Sequence, residues 1–215
     1  MTPFTSVVGP AASLLRDNID TDVIIRIDRL TKLAKDQLGP YAFEALRQLA
    51  DGTQDPDFFL NKPAFRHAPT LLAGRNFGCG SSREAAVWAL QCIGVRCVIA
   101  ASFGDIFFNN CFQNGVLPIR LARADIETLA RSCASGDPIT VDLTACILTG
   151  PDGRTQPFEV EPLRRQALLE GLDDIGLTMK HDSEIRDWQG KDRAMRPWAW
   201  PKRQDKALMR HCTRR

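Results

Sequence analysis

At 215 residues and 44% apolar content, the chain can bury a substantial core as one domain with room for a second small lobe, and it reads as a globular protein. Its net charge of +2 is unevenly spread: residues 186–215 hold ten Lys/Arg against three Asp, a net +7, which leaves −5 on the rest. No apolar run approaches the ~20 residues of a membrane span, and seven dispersed cysteines (79, 92, 97, 111, 133, 146, 212) without a CxxC pair suit neither a disulfide framework nor a metal site held by this chain.

Taken in order, an N-terminal strand-like segment without a basic leader runs to Asn18, Asp20, Thr21 and Asp22. These form a polar turn ahead of Val23-Ile24-Ile25, of the kind that Asx and Thr side chains stabilise through local backbone bonds. Residues 26–38 set Ile27, Leu30, Leu33 and Leu38 at helical spacing among Arg26, Arg29, Lys32 and Lys35, which predicts a helix with a solvated basic face. Residues 40–50 read as a helix begun at Pro40, and Thr70–Ala73 as a buried strand. A glycine loop follows over residues 74–80. Ser81, with Glu84 three positions on, has the form of a capping box, predicting a helix from Ser81 to a C-cap at Gly94. Beyond it the pattern predicts a strand at 95–101, a helix at Asp105–Asn114 stopped by Gly115, a strand at 116–121 and a helix at 124–133. Residues 139–148 and 155–160 read as a hairpin turned at Asp152-Gly153, then a helix at Pro162–Glu170 and a polar connection at 171–181. Alternating strand and helix implies parallel pairing with crossover helices, so patterning alone gives an α/β fold.

The loop into the Ser81 helix carries the strongest chemical signal. Gly78 and Gly80 leave room for a ligand to approach the backbone amides, a helix N-terminus favours an anion, and Arg83 adds a planar donor fork that matches a carboxylate. Spacing alone leaves a carboxylate or phosphate site and a tight structural connection equally open. Cys79 lies where a helix N-terminus can lower a thiol pKa, yet none of the three histidines has a motif that supplies a base, so a nucleophile is the less favoured reading. His67 reads as a surface or loop residue.

NFGCGSSRE followed by WAL, NIDTDVII at 18–25, ASFGDIFFNNCFQNGVLP at 101–118 and GLDDIGLTMKH at 171–181 recur in one order over residues 4–185. Together they resemble the small subunit of bacterial 3-isopropylmalate dehydratase, which is equivalent to the swivelling domain of aconitase. The resemblance implies a three-layer β/β/α swivelling domain with mixed parallel and hairpin strands over 1–185, followed by a basic Trp- and Pro-containing extension at 186–215. It implies a hydro-lyase of leucine biosynthesis, active only with a large subunit that carries a 4Fe–4S cluster, and a cytoplasmic location. This chain itself is expected to bind no cofactor or metal.

By the same resemblance Ser81 is the base and Arg83 a carboxylate clamp, with Asp22 facing the pocket. Ser82, Gly78, Cys79, Gly80 and Thr21 line it, and the 26–38 segment bearing Arg26 and Arg29 reads the substrate's variable group. Four residues depart from the pattern: Arg26 for proline, Arg29 for an aromatic or apolar residue, Ala85 for histidine and Val87 for proline. Extra cations favour an extra carboxylate on the substrate. That keeps a related hydro-lyase acting on citraconate, dimethylmaleate or homoaconitate as an alternative, beside a non-catalytic carboxylate-binding module. Typical family members are expected to end soon after GLDxIGLT, which makes the tail a departure. A basic segment with Trp188, Trp198 and Trp200 packs on protein more often than it binds nucleic acid.

Overall fold

The computed structural model describes residues 1–200. Among them, seven strands form one mixed sheet: β1 (Ser6–Leu14), β2 (Thr70–Ala73), β3 (Cys97–Ala100), β4 (Leu117–Arg120), β5 (Pro138–Asp142), β6 (Ile147–Thr149) and β7 (Thr155–Pro157), in spatial order β4-β3-β2-β1-β5-β6-β7. Strands β1 to β4 run parallel, with Ala12 opposite Leu71, Leu71 opposite Val98 and Val98 opposite Pro118. Strands β5 to β7 add on antiparallel through short turns. The helices are α1 (Thr21–Ile24), α2 (Ile27–Leu30), α3 (Glu44–Arg47), α4 (Ala85–Cys92), α5 (Asp105–Asn114), α6 (Arg123–Ser132), α7 (Pro162–Glu170), α8 (Asp174–Met179) and α9 (Asp182–Met195).

Strand periodicity divides the core. In β2 and β3 the residues Leu71, Ala73, Val98 and Ala100 pack with α4 on one face, while Leu72, Cys97 and Ile99 pack with Ile126 and Leu129 of α6 on the other. Both strands are fully buried, as parallel strands covered on two faces are. Helix α5 joins both clusters, through Phe107 and Cys111 on one side and Phe112 on the other. This α/β sheet, parallel on one half and built of hairpins on the other, is the architecture the resemblance implies.

Several expected elements differ, among them the polar connection at 171–181, which holds α8. Residues 26–38 form only the single turn α2 and a 3-10 turn at Lys35–Gln37, and Ile27 remains 53% exposed, so the apolar residues do not form one helical stripe. The expected helix at 40–50 is split by Phe43. Its backbone adopts a left-handed φ of +55°, its N–H donates to the Ile24 carbonyl at 2.9 Å, and its ring is buried against Phe58 and Phe59. Tertiary burial of that ring overrides local helix preference. Residues 139–148 hold two strands rather than one, because the chain turns back after Asp142, whose carboxylate accepts from the N–H groups of Thr144 and Ala145.

The described residues divide into two compact units, the first Met1–Asp174 and the second beginning at Ile175. In the second, α9 has no clear signal in the sequence: its mean composition is strongly polar and its helical pattern is interrupted by Gly190. Residue 185, where the sequence pattern sets a boundary, lies within α9. At the end of this helix the buried Asp192 accepts from Arg196 Nε at 2.8 Å and from Trp200 Nε1 at 2.9 Å, and Arg193 sits over the Trp200 ring. Four residues of the basic, Trp-rich segment, Asp192, Arg193, Arg196 and Trp200, are thus engaged with one another. No helix among the described residues is long and apolar enough to cross a membrane. Residues 201–215, with Cys212 and His211, lie outside the described residues.

Candidate active site at the ends of the parallel strands

The loops that leave the carboxyl ends of β1, β2 and β3 are zipped together, which is where open α/β sheets bind ligands. Asn18 N–H donates to the Arg75 carbonyl at 2.8 Å, Gly78 N–H to Ile19 at 2.7 Å and Thr21 N–H to Cys79 at 2.9 Å. From the other side, Phe77 N–H donates to Ser102 and Gly104 N–H to Phe77. Asp20 caps α1 by accepting from Val23 N–H at 2.7 Å, and the Thr21 hydroxyl donates to the Ser81 carbonyl at 3.1 Å. The NxDTD turn therefore acts as a buttress that fixes the glycine loop from below.

Glycine is required at Gly78 on two counts. Its φ is +71°, and a Cβ there would lie 2.2 Å from the Phe107 ring. Gly78→Ala is expected to destabilise the chain by about 1–3 kcal/mol, lowering the thermal unfolding midpoint by roughly 3–10 °C. Circular dichroism melting checks this, and an unchanged midpoint would show that the loop does not need the close approach.

The capping box does not form. Helix α4 begins at Ala85, with Glu84 at the N-cap position making no side-chain cap bond, so Ser81 lies ahead of the helix rather than at its head. The Glu84 carboxylate accepts instead from Asn114 Nδ2 at 2.8 Å. The consequence is a loop rather than a cap. Among the described residues, the N–H groups of Gly80, Ser81, Ser82, Arg83 and Glu84 have no hydrogen-bond partner, and neither does the Ser81 hydroxyl. Five successive unpaired amides, following the left-handed Gly78, leave this loop with donors that an anion could use.

Arg83 and Asp22 are brought together as an ion pair, Nη1 to Oδ1, with the Arg83 side chain 16% exposed and that of Asp22 52% exposed. One arm of the guanidinium is held by Asp22, while its remaining donors have no partner among the described residues. Arg29 is placed differently. Its Nε and Nη2 donate to Glu44 at 3.0 and 2.5 Å, and the group lies over the Tyr41 ring. Arg26 is exposed and pairs with Asp28 at 3.2 Å.

Cys79 departs from the expected direction. Burial pushes its thiol pKa up and the Asp20 carboxylate pushes it further, and the helix start that would have lowered it lies six residues away, at Ala85. Less thiolate at neutral pH follows. Alkylation of Cys79 by iodoacetamide at pH 7, followed by peptide mapping, is expected to run slower than that of an unstructured cysteine peptide. A faster rate would restore the reactive-thiol reading.

Beside Arg83 opens a pocket of about 270 Å³ lined by Leu30, Leu33, Leu38, Ser82, Arg83 and Trp88, among others. Sequence reasoning does not find it. The apolar spacing of Leu30, Leu33 and Leu38 signals burial but not the cavity they share with Trp88. No three His, Cys, Asp or Glu side chains among the described residues come together to hold a metal ion.

Fold and site together define an α/β domain of the aconitase swivelling class, and residues 1–124 match the family model of the aconitase C-terminal domain. Residues 174–199 match the model of the C-terminal domain of the 3-isopropylmalate dehydratase small subunit. The chain is similar to the 3-isopropylmalate dehydratase small subunits of Nitrobacter hamburgensis (50% identity over 93% of this chain and all of the relative) and Paramagnetospirillum magneticum (48% over 92% and all of the relative). A solved 3-isopropylmalate dehydratase structure from Methanocaldococcus jannaschii superposes with a TM-score of 0.64 at 27% identity, covering 85% of this chain and 99% of that one. The chain belongs to the 3-isopropylmalate dehydratase small-subunit family. The match at 174–199 also corrects the expectation that the family ends soon after GLDxIGLT: the helical segment to residue 199 is a family feature.

Proposed function

We propose that this chain is the small subunit of a 3-isopropylmalate dehydratase, a hydro-lyase that interconverts 2-isopropylmalate and 3-isopropylmalate through 2-isopropylmaleate in leucine biosynthesis. The observation that carries this reading beyond family membership is the pocket beside Arg83. Leu30, Leu33, Leu38, Ala85 and Trp88 form its apolar side, and Lys35, Ser82, Arg83 and Glu84 its polar and charged side. An isopropyl-bearing dicarboxylate has the same division. The cations that favoured a more highly charged substrate are already neutralised, Arg29 by Glu44 and Arg26 by Asp28.

In this reading Arg83 binds a substrate carboxylate with the donors that Asp22 leaves free, and Asp22 fixes the guanidinium plane. The unpaired amides of Gly80 and Ser82 receive carboxylate oxygens, with Gly78, Cys79 and Thr21 holding the loop in shape. Ser81 takes the proton from the carbon next to a carboxylate. A serine hydroxyl is a weak base, and its deprotonated form gains from the neighbouring Arg83 cation and unpaired N–H groups rather than from a helix terminus. Arg29 and Arg26 act on the substrate's variable group indirectly, by holding the 26–38 segment. The Lewis acid that the departing hydroxyl needs belongs to the 4Fe–4S cluster of a partner large subunit, and the pair works in the cytoplasm.

The test is genetic. Supplied with its cognate large subunit, the chain is expected to restore growth without leucine to a host lacking its own small subunit. Full expression of both chains without growth would overturn the assignment.

A further inference from the structure

Asn114, the last residue of α5, meets two other elements around the site, α4 and the 26–38 segment. Its Oδ1 accepts from Trp88 Nε1 of α4 at 2.9 Å and from Lys35 Nζ of the 26–38 segment at 3.5 Å. Its Nδ2 donates to Glu84 Oε1 at 2.8 Å, at the head of α4, and to the Asn110 carbonyl at 2.9 Å. Its own carbonyl accepts from Gln91 Nε2 at 2.5 Å. Lys35 also lies over the Trp88 ring, 4.8 Å from its centroid. The amide orientation is fixed by chemistry: indole N–H and ammonium only donate, and a carboxylate only accepts. Aspartate lacks the donor, leucine lacks both functions, and glutamine is one methylene too long.

We propose that Asn114 is a positioning residue for the reaction. It holds Glu84 away from the capping bond to the 81–83 loop that the sequence pattern offers, which leaves that loop's N–H groups unpaired. It also latches the substrate-reading segment at Lys35 against the same helix. The proposal rests on the site assignment above. Breaking only the Glu84 arm returns Glu84 to the loop, and breaking both arms also loosens the 26–38 segment.

Asn114→Asp isolates the first arm, because an oxygen then faces the Glu84 carboxylate while Trp88 and Lys35 keep their acceptor. In the assembled enzyme, kcat/KM is expected to fall about ten- to a hundredfold, the range for a lost hydrogen bond to a charged group. Adding Glu84→Gln reverses the polarity of the bond, since the new amide at position 84 donates to the new carboxylate at position 114. The double variant is expected to recover most of the activity lost in Asn114→Asp. A general structural role would not be rescued by that exchange. Amide hydrogen exchange on the full chain alone supplies a readout independent of turnover. Exchange over residues 81–87 is expected to change in Asn114→Asp and to return in the double variant. Unchanged exchange, or a double variant no better than Asn114→Asp, overturns the proposal. Exchange that follows the expected pattern in a chain whose wild type turns over no substrate overturns the functional assignment and leaves the positioning role standing.

Discussion

Arg83→Lys is expected to lower kcat/KM of the assembled enzyme by roughly a hundred- to a thousandfold, from the loss of a charge-assisted, two-pronged contact. The geometry sets this expectation. The Arg83 side chain is 16% exposed and Asp22 already holds one arm of its guanidinium. A planar fork can satisfy Asp22 on one edge and a substrate carboxylate on another, whereas a single ammonium on a shorter stem must choose. The loss is expected in both KM and kcat, since a misplaced carboxylate also misplaces the carbon that gives up its proton. Steady-state kinetics on the complex measures it, with circular dichroism and association with the large subunit as controls. Activity within tenfold of wild type would remove Arg83 from the carboxylate site.

Ser81→Ala is expected to act on kcat alone, by about a thousandfold, the middle of the range for a positioned proton acceptor. The Ser81 hydroxyl makes no hydrogen bond among the described residues, and the one contact that fixes the residue goes to its backbone carbonyl, from Thr21. The substitution therefore leaves loop and buttress in place. The unfolding midpoint and KM should stay near wild type while kcat collapses. A kcat within a few-fold of wild type would move the proton transfer to another group.

The parts of this molecule legible in sequence are those governed by local chemistry. Helix α5 runs from Asp105 to Asn114 and is closed by Gly115 at φ +77°, and α7 opens at Pro162 and closes at Gly171, as turn and cap rules foretell. The apolar runs of β2 and β3 become buried parallel strands for the same reason. What local chemistry misreads depends on partners far along the chain. Ser81 and Glu84 have the spacing of a capping box, but Asn114, thirty residues beyond Glu84, takes the carboxylate and the helix starts at Ala85. Phe43 breaks a good helical pattern because Phe58 and Phe59 offer its ring a buried seat. Arg29 reads as a spare cation until the fold places Glu44 against it. The candidate site residues Asp22 and Arg83 are suggested by family likeness, but their pairing across 61 positions requires the zipped loops.

The central claim is that the apolar pocket beside Arg83 selects an isopropyl-bearing dicarboxylate. Its most direct test is the rate of hydration of 2-isopropylmaleate and of citraconate, side by side, by this chain together with its cluster-reconstituted large subunit. Burial of the two additional carbons at about 0.8 kcal/mol each predicts a preference for 2-isopropylmaleate in kcat/KM of about tenfold or more. Faster hydration of citraconate, or no turnover of 2-isopropylmaleate, would contradict it.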